Sequence, residues 1–557
     1  MRQPKWWQDA VVYQIYPRSF YDSNADGMGD LAGITAKLDY IASLGVDIVW
    51  SCPFFVSPWA DGGYDVADYR SIDPAFGTMA DFEAMIEGIH ARGMRFMMDF
   101  VGNHTSDEHP WFQAALQDKN SPYHDYYIFR PGKNGAEPSN WASIFGGSAW
   151  EYVPHLDEYY LHLFAKKQPD LNWENPAVVQ EVIDILRFWA DKGVDGYRLD
   201  AINYLYKDPD FPDVEPMPGS RYGFATEHYA NKPRINDHFR ALHDAVFGPR
   251  GLTTVAEVAY LDEKVAREYA DPARGELDAL YPFDLLNVDQ DGYDKFSPRP
   301  LDLVQLKAAL AHWQQMMQDH GWLALFLGNH DQPRAVSRFG DEGEFRARSA
   351  KMLANAMYFL RGTPYLYQGE ELGMTNPHYT SLSQFRDVEA LNALAEGLAR
   401  GESEAHWLKL LNDRSRDGGR APFSWNSAPN AGFTTGKPWM DPCANAGEIN
   451  AAAEEDDPDS VLNFYRKLIR VRKGRPAVLF GKTEFLLPED PDLMVYTRTD
   501  EAEALLSVNN FSSLSRTFAL PDAFLGAELL LSNCGDLKIR DGVVTLRPWE
   551  GFTLLTH

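Results

Sequence analysis

Apolar and polar positions along this chain fall into a repeating order. Short runs rich in β-branched and aromatic residues are followed by longer segments with apolar residues three and four apart. The runs at residues 10–16 (AVVYQIY), 46–50, 94–101 (MRFMMDFV), 193–200, 252–256 (LTTVA), 277–281, 323–327 and 364–367 predict eight strands. Between them, helical spacing covers residues 31–44 (Leu31, Ile34, Leu38, Ile41, Leu44), 79–92, 176–192, 238–247, 301–320 and 345–360, with Gly45, Gly93 and Gly193 acting as stops. Strands alternating with helices imply parallel strands joined by crossovers. Eight such units predict an α/β protein built on a (β/α)8 TIM barrel, whose chemistry belongs at the C-terminal ends of the strands.

Two stretches break the rhythm. Residues 105–168 are rich in Pro, Gly, Asn, Trp and Tyr, which predicts a small domain inserted after strand three. Residues 204–237 carry Pro209, Pro212, Pro216, Pro218 and Pro233 and are too long for an ordinary βα loop, so they are expected to wall a site. A last helix, 461–473, stops at Gly474. Beyond it, short strands at 482–487, 493–498, 504–509, 527–531 and 551–555 predict a C-terminal antiparallel β-sandwich. The expected division is 1–104 with 169–476 for the barrel, 105–168 for the insert and 477–557 for the C-terminal domain.

Composition narrows the function. The 557 residues carry a net charge of −29, which disfavours nucleic-acid binding and points to a neutral substrate. Cys52, Cys443 and Cys534 have no CxxC spacing, so neither a disulfide framework nor a zinc site is expected. With no apolar leader and no long apolar run, a cytoplasmic protein without a membrane span is expected. Aromatic residues make up 13%, enough to line a sugar pocket if a site supports one.

The strand ends supply that site. Strand four closes on Gly193-Val194-Asp195-Gly196-Tyr197-Arg198-Leu199-Asp200, where Arg198 and Asp200 point to the same side and the guanidinium favours an ionised carboxylate. Asn103 and His104 follow strand three, Glu257 follows strand five, and His330 with Asp331 follow strand seven. Each pair alone reads as a structural ion pair or loop hydrogen bond. Core packing does not account for polar groups at so many successive strand ends. With no phosphate loop, HExxH, or Ser or Cys nucleophile pattern, paired carboxylates indicate glycosidic-bond chemistry. Asp200 suits a nucleophile. Glu257, desolvated after Val255 and Ala256, suits a proton donor. Asp331 is left to bind hydroxyls or stabilise positive charge.

Near the N-terminus, Asp22, Asn24, Asp26 and Asp30, with the Met28 carbonyl, put oxygen at every second position around Gly27. That spacing wraps a hard cation, Ca²⁺ or Mg²⁺. It is not an EF-hand, because its twelfth position is Gly33 and no helix precedes it.

These motifs, in this order, resemble the α-amylase superfamily of glycoside hydrolases, within it the α-glucosidase and oligo-1,6-glucosidase group. The resemblance is carried by Asp99-Phe100-Val101-Gly102-Asn103-His104, Gly196-Tyr197-Arg198-Leu199-Asp200, Glu257, Asn329-His330-Asp331, Gln168-Pro169-Asp170-Leu171-Asn172 and the segment 362–371 (GTPYLYQGEE), and covers nearly the whole chain. It implies Asp200 as nucleophile, Glu257 as acid/base and Asp331 as transition-state stabiliser. It also implies Asp61, Tyr64, His104, Arg198 and His330 as the grip on a terminal glucose, with Phe164 as an aromatic wall. Arg416 would pair with Asp61 and close the pocket, so attack would come from the non-reducing end. The loop 22–30 resembles the group's calcium loop, which makes the metal structural. In this group a Val after the nucleophile goes with α-1,6 bonds and a smaller residue with α-1,4 bonds. Ala201 therefore implies a maltose-type preference, and the long proline-rich loop walling the acceptor side would either restrict substrates to disaccharides or exclude water and so favour glucosyl transfer. The expected partner is a small neutral sugar, for a monomer or homodimer. The alternatives are a dedicated glucosyltransferase or sucrose/maltose isomerase and, remotely, a non-catalytic scaffold subunit; the full triad and the absence of a membrane anchor weigh against the last.

Overall fold

In a computed structural model that describes residues 3–292 and 294–557, the eight expected strands form one parallel sheet. They are β1 Val12–Ile15, β2 Ile48–Ser51, β3 Arg95–Val101, β4 Gly196–Asp200, β5 Thr253–Val258, β6 Ala279–Pro282, β7 Ala324–Leu325 and β8 Thr363–Tyr367. The order runs β6-β5-β4-β3-β2-β1-β8-β7, and a parallel bridge between Leu280 and Leu323 closes the ring. The fold is the TIM barrel expected. Alternation along each strand explains why it is stable. Val12, Trp50, Met97, Val255, Tyr281 and Tyr365 point into one interior cluster. Val11, Tyr13, Val49, Phe96 and Leu199 face the helical layer. Strands buried on both faces read as continuous apolar runs, which is the pattern seen in the sequence.

Three local expectations are corrected. The helix expected over 31–44 is two helices, Leu31–Ala36 and Leu38–Ser43, broken at Lys37 (φ −108°, ψ 8°). The break sets the Lys37 ammonium over the rings of Tyr21 and Trp425, at 4.1 and 4.2 Å. The helix expected over 238–247 starts earlier, as Ile235–Leu242, and continues as a wider π turn, His243–Phe247. Glu257 lies within β5 rather than after it.

Residues after β3 form the helix Pro110–Gln117 and a small antiparallel sheet of Phe129–Arg130, Trp150–Val153 and Glu158–Leu161. The excursion 204–237 packs on this unit. Trp141 Nε1 donates to the Pro212 carbonyl at 2.8 Å, and its ring meets Phe211, His228 and Tyr229. At the C-terminus, Lys482–Phe485, Leu493–Thr499, Ala504–Asn510, Gly551–Thr556 and Glu528–Ser532 pair as one antiparallel sheet. A second sheet joins Arg516–Ala519, Val543–Leu546 and Ile539–Arg540, none of which the sequence reading predicted. One apolar cluster, including Val495, Val508, Phe518, Val544 and Phe552, lies between the two. Among the described residues, no helix is long and apolar enough to cross a membrane.

Candidate active site

The C-terminal ends of the strands open into a cavity of about 220 Å³. Asp61, Tyr64, His104, Phe164, Asp200, Glu257, Asp331 and Arg416 all line it. Arg198 stands beneath it and is 2% exposed.

Arg198 organises the floor. Its Nη1 donates to Asp200 Oδ1 at 2.6 Å and to Asp99 Oδ1 at 2.8 Å, while Nη2 lies 2.7 Å from Glu257 Oε2. Sheet register sets this up, because Asp99 is the direct cross-strand partner of Arg198 and Val255 flanks it on the other side. Tyr64 closes the group by donating its hydroxyl to Asp99 Oδ2 at 2.8 Å. Burial raises the Asp99 carboxyl to about 7 even against the guanidinium. Burial also raises Glu257 well above the usual carboxylate range. Arg198 opposes that shift, and the negative charges of Asp200 and Asp331 add to it. Glu257 is thus set to hold a proton near neutral pH.

Asp331 is set the opposite way. Burial disfavours its charge, but the guanidinium groups of Arg416 and Arg420 hold it well below the usual range. Arg420 Nη2 donates to Oδ1 at 2.7 Å, and Arg416 Nη1 lies 3.4 Å away. His330 stacks between Tyr64 and Tyr16, with centroids 5.2 and 6.1 Å away. Burial depresses the imidazole to about 3, so it is neutral. The Gln14 amide donates to its Nδ1 at 2.9 Å, which puts the proton on Nε2. That Nε2 lies 3.1 Å from Asp331 Oδ2 without an aligned hydrogen bond.

The far end of the pocket is tied by Asp61. Arg416 Nη2 donates to its Oδ1 at 3.0 Å and Gln168 Nε2 to its Oδ2 at 3.1 Å. His104 meets the Tyr64 carbonyl and the Gln168 amide, both at 3.1 Å, and its ring packs on Phe164 at 5.0 Å. Phe145 packs on Phe164 at 5.8 Å and lies under the Arg416 guanidinium at 5.2 Å.

Several of these groups were absent from the candidate site residues of the sequence reading: Asp99, Gln168, Arg420, Gln14, Phe145 and Asp387, which takes Arg416 Nη2 at 2.5 Å. Asp99 and Gln168 stood inside quoted motifs. Of the others, Gln14 lies within β1, Arg420 ends the short helix Asp417–Arg420, and Phe145 and Asp387 lie in loops; none of their pairings has a local signature.

The loop with Asp22, Asn24, Asp26, Met28 and Asp30 does not line this cavity. It is shaped by its own side chains. Asp22 Oδ1 accepts from the Asn24 and Ala25 amides, and its Oδ2 from Gly27 N and Thr434 Oγ1. Asn24 accepts from Asp26 N and Asp26 from Met28 N, while Asp30 accepts from Ser23 and Gly33. Gly27 needs φ +97°, and a Cβ there would strike the Lys437 carbonyl. Among the described residues, no three His, Cys, Asp or Glu side chains converge as metal ligands.

Comparison with known proteins agrees with this site. Residues 14–481 match the alpha amylase catalytic domain, and residues 493–551 match an alpha-amylase SusG C-terminal domain. The chain is 48% identical over 550 residues to an oligo-1,6-glucosidase of Parageobacillus thermoglucosidasius, covering 98% of each. It superposes on the trehalose-6-phosphate hydrolase of Bacillus licheniformis with a TM-score of 0.94, at 43% identity over 99% of this chain and 100% of that one. It superposes on the isomaltulose synthase of Klebsiella sp. LX3 with a TM-score of 0.94, at 40% identity over the whole of both chains. An eight-stranded barrel whose strand ends converge three carboxylates on one arginine-floored pocket, together with these matches, shows that the chain belongs to the alpha-amylase family, as a glycoside hydrolase of the α-glucosidase type.

Proposed function

We propose that this chain is a retaining, exo-acting α-glucosidase that releases α-glucose from the non-reducing end of short α-glucosides, with maltose-type α-1,4 links preferred. The observation that carries the reading is the single guanidinium shared by Asp200 and Glu257, at 2.6 and 2.7 Å. It supports the short carboxylate spacing of retaining enzymes, about 5–5.5 Å, over the wider gap of about 6.5–9.5 Å that admits an inverting water. Asp200 attacks the anomeric carbon while Glu257 gives its proton to the leaving oxygen. Water then attacks the glucosyl-Asp200 ester, Glu257 takes its proton, and the sugar leaves with its configuration retained. Asp331, held ionised, stabilises developing positive charge. The unaligned His330 Nε2–H is a donor for a sugar hydroxyl.

The Asp61–Arg416 pair and Phe145 support a closed end that takes one terminal glucose. A neutral substrate fits the charges: five acids line the cavity against two cations, Lys295 and Arg416, both already paired with carboxylates. Linkage rests on Ala201, whose small side chain lines the pocket next to Asp200. The test is to feed maltose and isomaltose to the native chain and to Asp200→Asn, following the anomers by NMR. Release of α-glucose, faster from maltose and lost in the variant, is the expected result. Initial release of β-glucose would refute retention, and a clear preference for isomaltose would refute the linkage.

The likeness to an isomaltulose synthase favours a second reading, in which a sugar hydroxyl replaces water on the same intermediate. Oligosaccharides or isomerised sucrose in place of free glucose would move it ahead.

We also propose a structural Ca²⁺ or Mg²⁺ on Asp22, Asn24, Asp26, the Met28 carbonyl and Asp30. The loop's own amide contacts support a preformed turn; Asp26 Oδ2 and the second lone pairs of Asn24 Oδ1 and Asp26 Oδ1 remain for a cation, while Asp22 and Asp30, whose oxygens each accept two hydrogen bonds, would exchange some of them for it. Its role would be to tie the loop after β1.

A further inference from the structure

Two loops form one wall of the pocket: Ala201, Asn203 and Tyr204 after β4, and Ala259 and Tyr260 after β5. Tyr260 has φ +56°, in the left-handed region, where a bulky residue is strained and persists only if its surroundings hold it. The hold comes from Asn231, in the long excursion after β4. Its Nδ2 donates to the carbonyls of Ala259 at 2.8 Å and Tyr260 at 2.9 Å. Its Oδ1 accepts from Asn203 Nδ2 at 3.1 Å and from the Tyr269 hydroxyl at 3.4 Å, and its backbone N–H donates to the Asn203 carbonyl at 2.9 Å. Asn203 Nδ2 donates in turn to the Ala259 carbonyl at 2.9 Å. The two asparagines form an amide clamp joining both loops. Asn231 is itself left-handed, at φ +54°, which asparagine tolerates better than most residues. It does not line the cavity.

Tyr260 lies three residues beyond Glu257, the group that serves the leaving and attacking oxygens. The opposite end, with Asp61 and His104, belongs to the terminal glucose. Tyr260 therefore faces whatever follows the scissile bond. A sugar acceptor needs an ordered surface there, and water does not. We propose that Asn231 is a positioning residue for the acceptor. Through the two carbonyls it fixes Tyr260, and so sets whether water or a sugar hydroxyl attacks the glucosyl-enzyme. The inference rests on the retaining α-glucosidase reading above.

The test uses α-D-glucosyl fluoride, whose leaving group is too small to reach Tyr260, with glucose as acceptor. Asp200 displaces fluoride, which leaves with the Glu257 proton as HF. The glucosyl group then passes to water or to a glucose hydroxyl, with the proton taken by Glu257 and the ester to Asp200 broken. Fluoride release reads the first step, and disaccharide against new free glucose (from labelled donor) reads the second. Asn231→Asp keeps the shape and the acceptor oxygen but loses both donated hydrogen bonds. It is expected to release fluoride within about twofold of native while its transfer-to-hydrolysis ratio falls about fivefold or more, the scale of one buried hydrogen bond. Tyr260→Gly, which relieves the backbone but lacks the ring, must lower the ratio at least as far and decides the matter if Asn231→Asp fails to fold. An unchanged ratio in either variant overturns the proposal, as does a fall in fluoride release that parallels the ratio. A native protein that releases no fluoride overturns the α-glucosidase reading instead.

Discussion

Replacing Arg198 by Lys tests the organisation of the site. Lysine keeps the unit charge, so most of the attraction to the surrounding carboxylates survives, about 4 kcal/mol per pair at 4 Å in an environment of intermediate polarity. What it loses is the planar fork that reaches Asp200, Asp99 and Glu257 at 2.6, 2.8 and 2.7 Å. Losing one charge-assisted hydrogen bond costs about 1.5–3 kcal/mol. At about 1.4 kcal/mol per decade, kcat/KM should fall roughly 10- to 150-fold. With a weaker grip the facing carboxylates protonate more readily, so the acid limb should move to higher pH. The assay is kcat/KM on p-nitrophenyl α-glucoside between pH 5 and 8, with thermal unfolding as the check on the fold. Arg198→Lys within threefold of native and with an unshifted profile would refute the shared-guanidinium account. Arg198→Ala, which strands three buried carboxylates, should destabilise the fold by about 3–5 kcal/mol or more.

Three further outcomes follow from single groups. Glu370 is buried, its Oε1 accepting from the Tyr358 and Tyr465 hydroxyls at 2.8 and 2.9 Å, and burial raises it to about 7. Its folded pKa exceeds its unfolded one, so its contribution to stability is complete below about pH 4.3 and is lost as pH rises through about 7. Glu370→Gln should therefore flatten the fall in urea-unfolding free energy between pH 5 and 7 by up to about 1.4 kcal/mol per pH unit; parallel slopes would contradict this. Ala201→Val should shift the maltose-to-isomaltose rate ratio toward isomaltose by about tenfold, and an unchanged ratio would remove Ala201 from the account of linkage. Calcium at a hundred times its dissociation constant should stabilise the fold by about 2.7 kcal/mol over chelator, and the increment should vanish in Asp26→Ala; equal melting temperatures with and without calcium would rule the loop out as a cation site.

The barrel was legible because its strands are buried on both faces and its helices are not, so the period of the pattern switches at every crossover. Ends were less legible. Glu257 is the fifth residue of β5, where a carboxylate after Val255 and Ala256 reads like a terminator. Lys37 looks like an ordinary helical position, and only the rings of Tyr21 and Trp425 show why the chain breaks there. Strands such as Arg516–Ala519 and Ile539–Arg540 are short and half polar, with too few apolar positions to show a period of two. At the site, the strand-end acids stood out because a core has no use for them. Asp99 also breaks an apolar run, but its role depends on its register with Arg198, which no single strand reveals. Arg420, at the end of the short helix Asp417–Arg420, and Asp387, in a loop, both come from beyond β8 and meet the pocket only through the folded chain.

The central claim is a covalent bond to Asp200. The measurement that tests it most directly is to incubate the protein with 5-fluoro-α-D-glucosyl fluoride, which forms the glucosyl-enzyme faster than it breaks down. Digestion and mass spectrometry then locate the adduct. The account predicts one fluoroglucosyl group, on the Asp200 carboxylate, lost in Asp200→Asn. An adduct on Glu257 or Asp331, or turnover of the reagent with no adduct at all, would contradict it.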